Sequence, residues 1–178
     1  MRRYLALIAF VGMVFAGCAM YQTIIKSSFP YTSTLTVSAT AQPGSEHSAI
    51  NIANSFDQNF KRDGNNGDRI TLVHVASAKL MSVEPTDYNI GNLSSVKIYL
   101  SKEDGSEEQL VARRDSIPQN SGNNMILDID DSKFLDQLVR ERNIRVRMVY
   151  KTRQSVNRDV NVHVVLGLTA YPKPGGKS

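Results

Sequence analysis

Three observations predict a mainly all-β chain, an antiparallel β-sandwich that is Ig-like or jelly-roll-like. Beyond residue 33, apolar and polar residues alternate over most of the length, the period of a half-buried strand. Gly, Pro, Asn and Asp recur between the alternating runs, where turns are needed. Helical spacing occurs convincingly in only one stretch, near 131–140. The expectation is about seven or eight short strands with one short α-helix.

In chain order, Leu35, Val37 and Ala39 alternate with Thr36 and Ser38, and Gln42-Pro43-Gly44 turns the chain. Residues 47–60 fit two readings, extended over 47–53 or a helical turn over 51–60 presenting Ile52 and Phe56. Residues 63–68 are a loop by composition. A long bent strand is expected over 69–84, ending at Pro85. Val96, Ile98 and Leu100 alternate with Lys97 and Tyr99, and Glu103-Asp104-Gly105-Ser106 reads as a hairpin turn leading into a partner strand over 108–113. Met125, Leu127 and Ile129 alternate again.

The expected helix follows. Asp130 or Asp131 is placed to cap it, Phe134, Leu135, Leu138 and Val139 form one stripe, and Arg140 and Arg142 suit its C-terminal dipole. Two strands close the domain. Over 144–152, Ile144, Val146, Met148 and Tyr150 share one face, and Arg145, Arg147 and Lys151 the other. Over 159–171, Val160, Val162, Val164, Leu166, Leu168 and Ala170 share a face. With 154–158 turning between them, they are expected to form a long antiparallel hairpin.

The chemistry-bearing residues do not converge in sequence. His47, His74 and His163 are far apart, with no H-x-H or H-E-x-x-H spacing, so no metal site is expected. No G-x-S-x-G elbow marks a nucleophile, and no catalytic residue is assigned. Of the carboxylates Asp128, Asp130 and Asp131, the expected helix start explains two. Asp63, Asn65 and Gly67 alternate as in a calcium loop. However, the Gly required at position 6 and the Glu at position 12 fall on Asp68 and His74. No cofactor is expected. The basic stripe Arg145, Arg147, Lys151 and Arg153 is the most distinctive surface feature, a candidate contact face for anionic groups. Asp115-Ser116-Ile117 resembles a bacterial O-glycosylation acceptor, which makes Ser116 a candidate site.

The N-terminus speaks most directly. Met1-Arg2-Arg3 is followed by an uncharged apolar run over 5–16, too short to span a bilayer as a helix. Phe15-Ala16-Gly17-Cys18 then resembles a lipobox, the recognition sequence of bacterial lipoprotein signal peptidase, with Phe15 where the family usually has Leu. The resemblance covers the first 18 residues. It implies cleavage before Cys18, diacylglyceryl transfer to its thiol, and usually acylation of the new amino group. Cys18 is the only cysteine, so no intramolecular disulfide is open to it, and thioether lipidation gives the lone thiol a use. Two or more acyl chains hold a protein to a membrane where one does so marginally. A Cys18→Ala change should abolish palmitate labelling and leave uncleaved precursor. Ala19 is not the Asp that retains many lipoproteins in the inner membrane, and nothing acidic appears before Glu46. The expected address is the outer membrane facing the periplasm, with the cell surface as the alternative.

The expected organisation is therefore a signal peptide over 1–17, a lipidated N-terminus and tether over 18–33, one sandwich domain over 34–172, and a loose tail over 173–178. Without the signal peptide, 19 cations face 17 anions, and a net charge of +2 gives no reason to expect nucleic-acid binding. The expected role is a non-enzymatic binding or scaffolding domain contacting another envelope protein. A polysaccharide-binding or adhesin module and an envelope hydrolase are the alternatives.

Overall fold

A computed structural model of the chain describes residues 27–54, 70–141 and 143–172. The lipobox with Cys18, the loop over 63–68 and the tail over 173–178 lie outside these residues. The fold is mostly β. Among the described residues, nine strands form two antiparallel sheets in a sandwich-like arrangement: β1 (Ser27–Val37), β2 (Glu46–Asn54), β3 (Ile70–Glu84), β4 (Leu93–Lys102), β5 (Gln109–Arg114), β6 (Asn124–Ile126), β7 (Asp128–Ile129), β8 (Asn143–Thr152) and β9 (Val160–Pro172). One sheet has the order β1-β9-β3-β6 and the other β2-β8-β4-β5-β7. Leaving β7 aside, the first half of the chain pairs with the second in nested order: β1 with β9, β2 with β8, β3 with β6, β4 with β5.

Period-2 alternation drives the packing. The longer strands β1, β3, β4, β8 and β9 each offer one apolar face, and facing two such sheets buries these faces in one core. Leu35 and Val37, Val73, Val75 and Leu80, Ile98 and Leu100, Val146 and Met148, and Val162, Val164 and Leu166 meet there. β1 starts earlier than the alternation suggests, within the stretch expected to be tether. Pro30 lies opposite Gly167, and proline is admissible because β1 is an edge strand that need not donate on both sides. β3 is the long bent strand the sequence suggests, with three register shifts against β9.

Three expectations are corrected. First, no α-helix occurs among the described residues, and 131–140 holds only a single 3₁₀ turn at Leu138–Arg140. Asp130 closes a tight local turn instead of capping a helix, accepting from the backbone N–H (3.1 Å) and hydroxyl (2.5 Å) of Ser132. Leu135 N–H then donates to Val73 O at 2.7 Å, and the Asp136 carboxylate accepts from Leu72 and Val73 N–H at 2.8 and 3.2 Å. The segment spends its polar groups on β3. Second, β8 and β9 are not a hairpin, because they lie in different sheets. Between them, Arg153 N–H donates to Asn92 O at 2.7 Å and its guanidinium to the carbonyls of Gly91 and Ile117, which carries the chain across the end of the sandwich. Third, the single strand expected over 125–129 is two. β6 pairs with β3, Leu127 is buried between the sheets, and β7 pairs with β5.

The connections 38–45, 85–92, 115–123 and 153–159 gather at one end of the sandwich, and 103–108 and 130–141 at the other. At the first end Gly91 packs so tightly under the backbone of Pro118 and Gln119 that no side chain fits there.

Candidate functional site

The outer face of the five-stranded sheet gathers most of the basic stripe. β8 alternates without a break, so Arg145, Arg147, Val149 and Lys151 all point outward while Ile144, Val146, Met148 and Tyr150 point into the core. The register sets what lies beside each. Ile52, Arg145 and Ser101 make one row, and Ile50, Arg147, Tyr99 and Leu110 the next. Ser48, Val149, Lys97 and Arg113 follow, then Glu46, Lys151 and Ser95. Ile50 and Ile52 remain 49% and 41% exposed, large for apolar side chains on an edge strand.

Arg147 is the fixed point of this face. Its guanidinium makes a fork-like pair with Glu108, at 2.7 and 2.5 Å, and lies 4.5 Å from the centre of the Tyr99 ring. The hydrogen bond from Arg147 holds the Glu108 carboxyl below its ordinary range, and Glu108 raises Arg147 in return. Arg145 lies against Gly105, the positive-φ glycine of the β4–β5 turn, where a side chain would collide with the guanidinium. Lys151 stands 3.6 Å from Glu46, and Arg113 3.6 Å from Asp115. Among the described residues Lys97 makes no ion pair. A shallow depression of about 300 Å³ opens between Ser48 and Val149 on one side and Lys97, Tyr99 and Arg147 on the other.

Arg153 does not join this face. It lies just past the end of β8, and its guanidinium is turned to the Gly91 and Ile117 carbonyls. Ser116 is exposed in the connection between β5 and β6, at the end of the sandwich opposite the start of β1. Cys18, Phe15, Ala16 and Gly17 lie outside the described residues.

The histidines stay separate, each with a local bond. The His47 ring is within 3.0 Å of Gln42 O and 5.8 Å from the ring of Tyr150. His74 Nδ1 is 3.0 Å from Leu72 O, and His163 Nδ1 is 2.9 Å from Thr34 Oγ1. Among the described residues no three His, Cys, Asp or Glu side chains converge as metal ligands would.

No protein-family model matches the chain, and no curated protein matches it. Lys97, Tyr99, Ile50, Ile52 and Glu108 belong to the face but stand apart from Arg147 in sequence. The alternation of Lys97 and Tyr99 is legible, the stretch of Ile50 and Ile52 fits two readings, and what hid the face was the pairing of β2 and β4 on either side of β8.

Proposed function

We propose that this chain is an exported protein anchored by lipid on Cys18, most simply at the periplasmic face of an outer membrane. Its sandwich domain is a non-enzymatic module that binds or scaffolds another envelope protein. The binding part of this reading is carried by one observation: the outer face of the five-stranded sheet. Arg145, Arg147, Lys97 and Lys151 stand there beside the exposed Ile50 and Ile52. Ordinary solvated sheet faces keep their large aliphatics inward. A rim of cations around exposed isoleucines suits a partner with an apolar anchor and acidic groups, which steer its approach. The anchor part rests on the lipobox resemblance and the single cysteine. Within the sandwich class, the nested pairing of β1 with β9 through β4 with β5 favours a jelly-roll-like over an Ig-like description.

A polysaccharide module is the weaker reading. Sugar rings stack on open aromatic faces, and Arg147 already covers Tyr99. The test is a photoreactive residue at Ile50, compared with one at Ile126 on the other sheet, in the intact envelope. The expected result is a discrete protein adduct from Ile50 that is lost when Lys97→Glu and Arg145→Glu are introduced. No adduct from Ile50, or the same adducts from Ile126, would contradict the assignment of this face.

A further inference from the structure

We infer that the end of the sandwich carrying Leu72 and Phe134 is a membrane foot, an apolar patch that touches the lipid surface to which Cys18 is fastened. The inference rests on the proposed anchor and adds the orientation of the domain upon it.

The strand register fixes which end this is. β1 begins at Ser27, opposite Ala170 of β9, and β3 begins with Ile70 opposite Pro172 and Thr71 opposite Tyr171. Chain entry, the first residues of β3 and the last of β9 therefore share one end. Cys18 lies nine residues before Ser27, a reach of at most roughly 30 Å even fully extended. The 13 residues of β9 span roughly 40 Å. A lipid on Cys18 thus holds the near end at the membrane, while the tether alone is too short to bring the far end down.

That end presents apolar groups the core does not use. Leu72 has φ +54°, a left-handed conformation that L side chains rarely adopt, at a register shift in β3. The Asp136 carboxylate holds it there by accepting from the N–H groups of Leu72 and Val73. The Leu72 side chain is left 43% exposed. The same carboxylate docks the segment carrying Phe134, which is 55% exposed although its neighbour Leu135 is buried. The His74 ring meets Phe134 edge-on at 6.5 Å and stacks on Tyr171 at 6.3 Å. Aromatic rings with polar tips suit the level of lipid headgroups, and Lys133 beside Phe134 adds an exposed cation. Glu103, Asp104 and Glu107 of the β4–β5 turn share this end, as do Asp131 and Asp136 on the segment of Phe134, the Asp136 carboxylate being turned to the Leu72 and Val73 N–H groups; contact is carried by Leu72, Phe134 and Lys133 on the four-stranded side.

The chain contains no Trp, so Phe134→Trp introduces a single tryptophan, which is excited selectively beyond the absorption band of the tyrosines. The full-length variant is produced in a host that processes lipoproteins and reconstituted into phosphatidylcholine vesicles with or without acyl-chain-brominated lipid. Intact mass on the same sample reports whether Cys18 carries lipid. The expected result is blue-shifted emission from Phe134→Trp that brominated lipid quenches, with neither effect for Asn157→Trp at the opposite end. Adding Leu72→Asp should reduce the quenching severalfold. Lipid on Cys18 with no quenching at position 134, or equal quenching at 134 and 157, overturns the foot and leaves the anchor standing. A sample with no lipid on Cys18 overturns the anchor, and the foot with it.

Discussion

Tyr88 shows how burial becomes a measurable property at the scale of one residue. It is 9% exposed, and burial pushes its phenol up to about 12. Burial favours the neutral form in the fold, whereas the unfolded chain ionises near 10.0. The contribution is fully present below pH 10 and is lost as the pH rises toward 12, by about 1 kcal/mol at pH 11. Tyr88→Phe has no proton to lose. Urea unfolding at about pH 9 and pH 11 should show a smaller alkaline loss for the variant than for wild type, by about 1 kcal/mol. Equal losses would show that Tyr88 ionises as freely in the fold as in the unfolded chain. Single side chains also mark where sequence reading works. Arg145, Arg147 and Lys151 share a face because strand period is 2, and that is visible in the bare sequence. Arg153 continues the same odd positions, but the strand stops at Thr152 and the next side chain is free to turn to the Gly91 and Ile117 carbonyls.

At the scale of elements, the segment over 130–141 is the clearest case of tertiary contacts overriding local preference. Its spacing suits a helix, and Leu135, Leu138 and Val139 do become buried. The first strand turn of β3 offers unpaired N–H groups at Leu72 and Val73, and the Asp136 carboxylate satisfies both at once. Asp136→Ala should cost about 1–3 kcal/mol by leaving these donors without their acceptor. Hydrogen exchange should accelerate over 132–141 and at Leu72 and Val73, while the β4–β8 ladder keeps its protection. Unchanged exchange at Leu72 and Val73 would show that the carboxylate does not hold the bulge. Pro30 and the β6–β7 crossing were hidden for a related reason. A proline is admissible only once β1 is known to be an edge, and Leu127 switches sheets only because two sheets are there to receive it.

Over the whole molecule, the class of fold was legible and its wiring was not. Alternation reports that a residue has one wet and one dry side, and it does so at Val96 as clearly as at Val162. It does not report the partner. Tyr31 lies opposite Leu166, and Ile50 opposite Arg147, across separations that no local pattern encodes. The cationic face with its exposed isoleucines is a product of that wiring, as is the placing of Leu72 and Phe134 at the end where β1 starts. The two features lie on different parts of the sandwich. With the proposed anchor at that end, the part of the outer face beyond the Ile52–Arg145 row stands clear of the membrane and open to a partner.

The proposed orientation on the membrane depends on the lipid anchor at Cys18. The most direct measurement is the intact mass of the protein extracted from its own membrane, with fragmentation of its N-terminal peptide. The expected result is a chain that begins at Cys18, with a diacylglyceryl group on the thiol. A chain still beginning at Met1, or a cleaved chain with a bare Cys18 thiol, would contradict the lipid anchor.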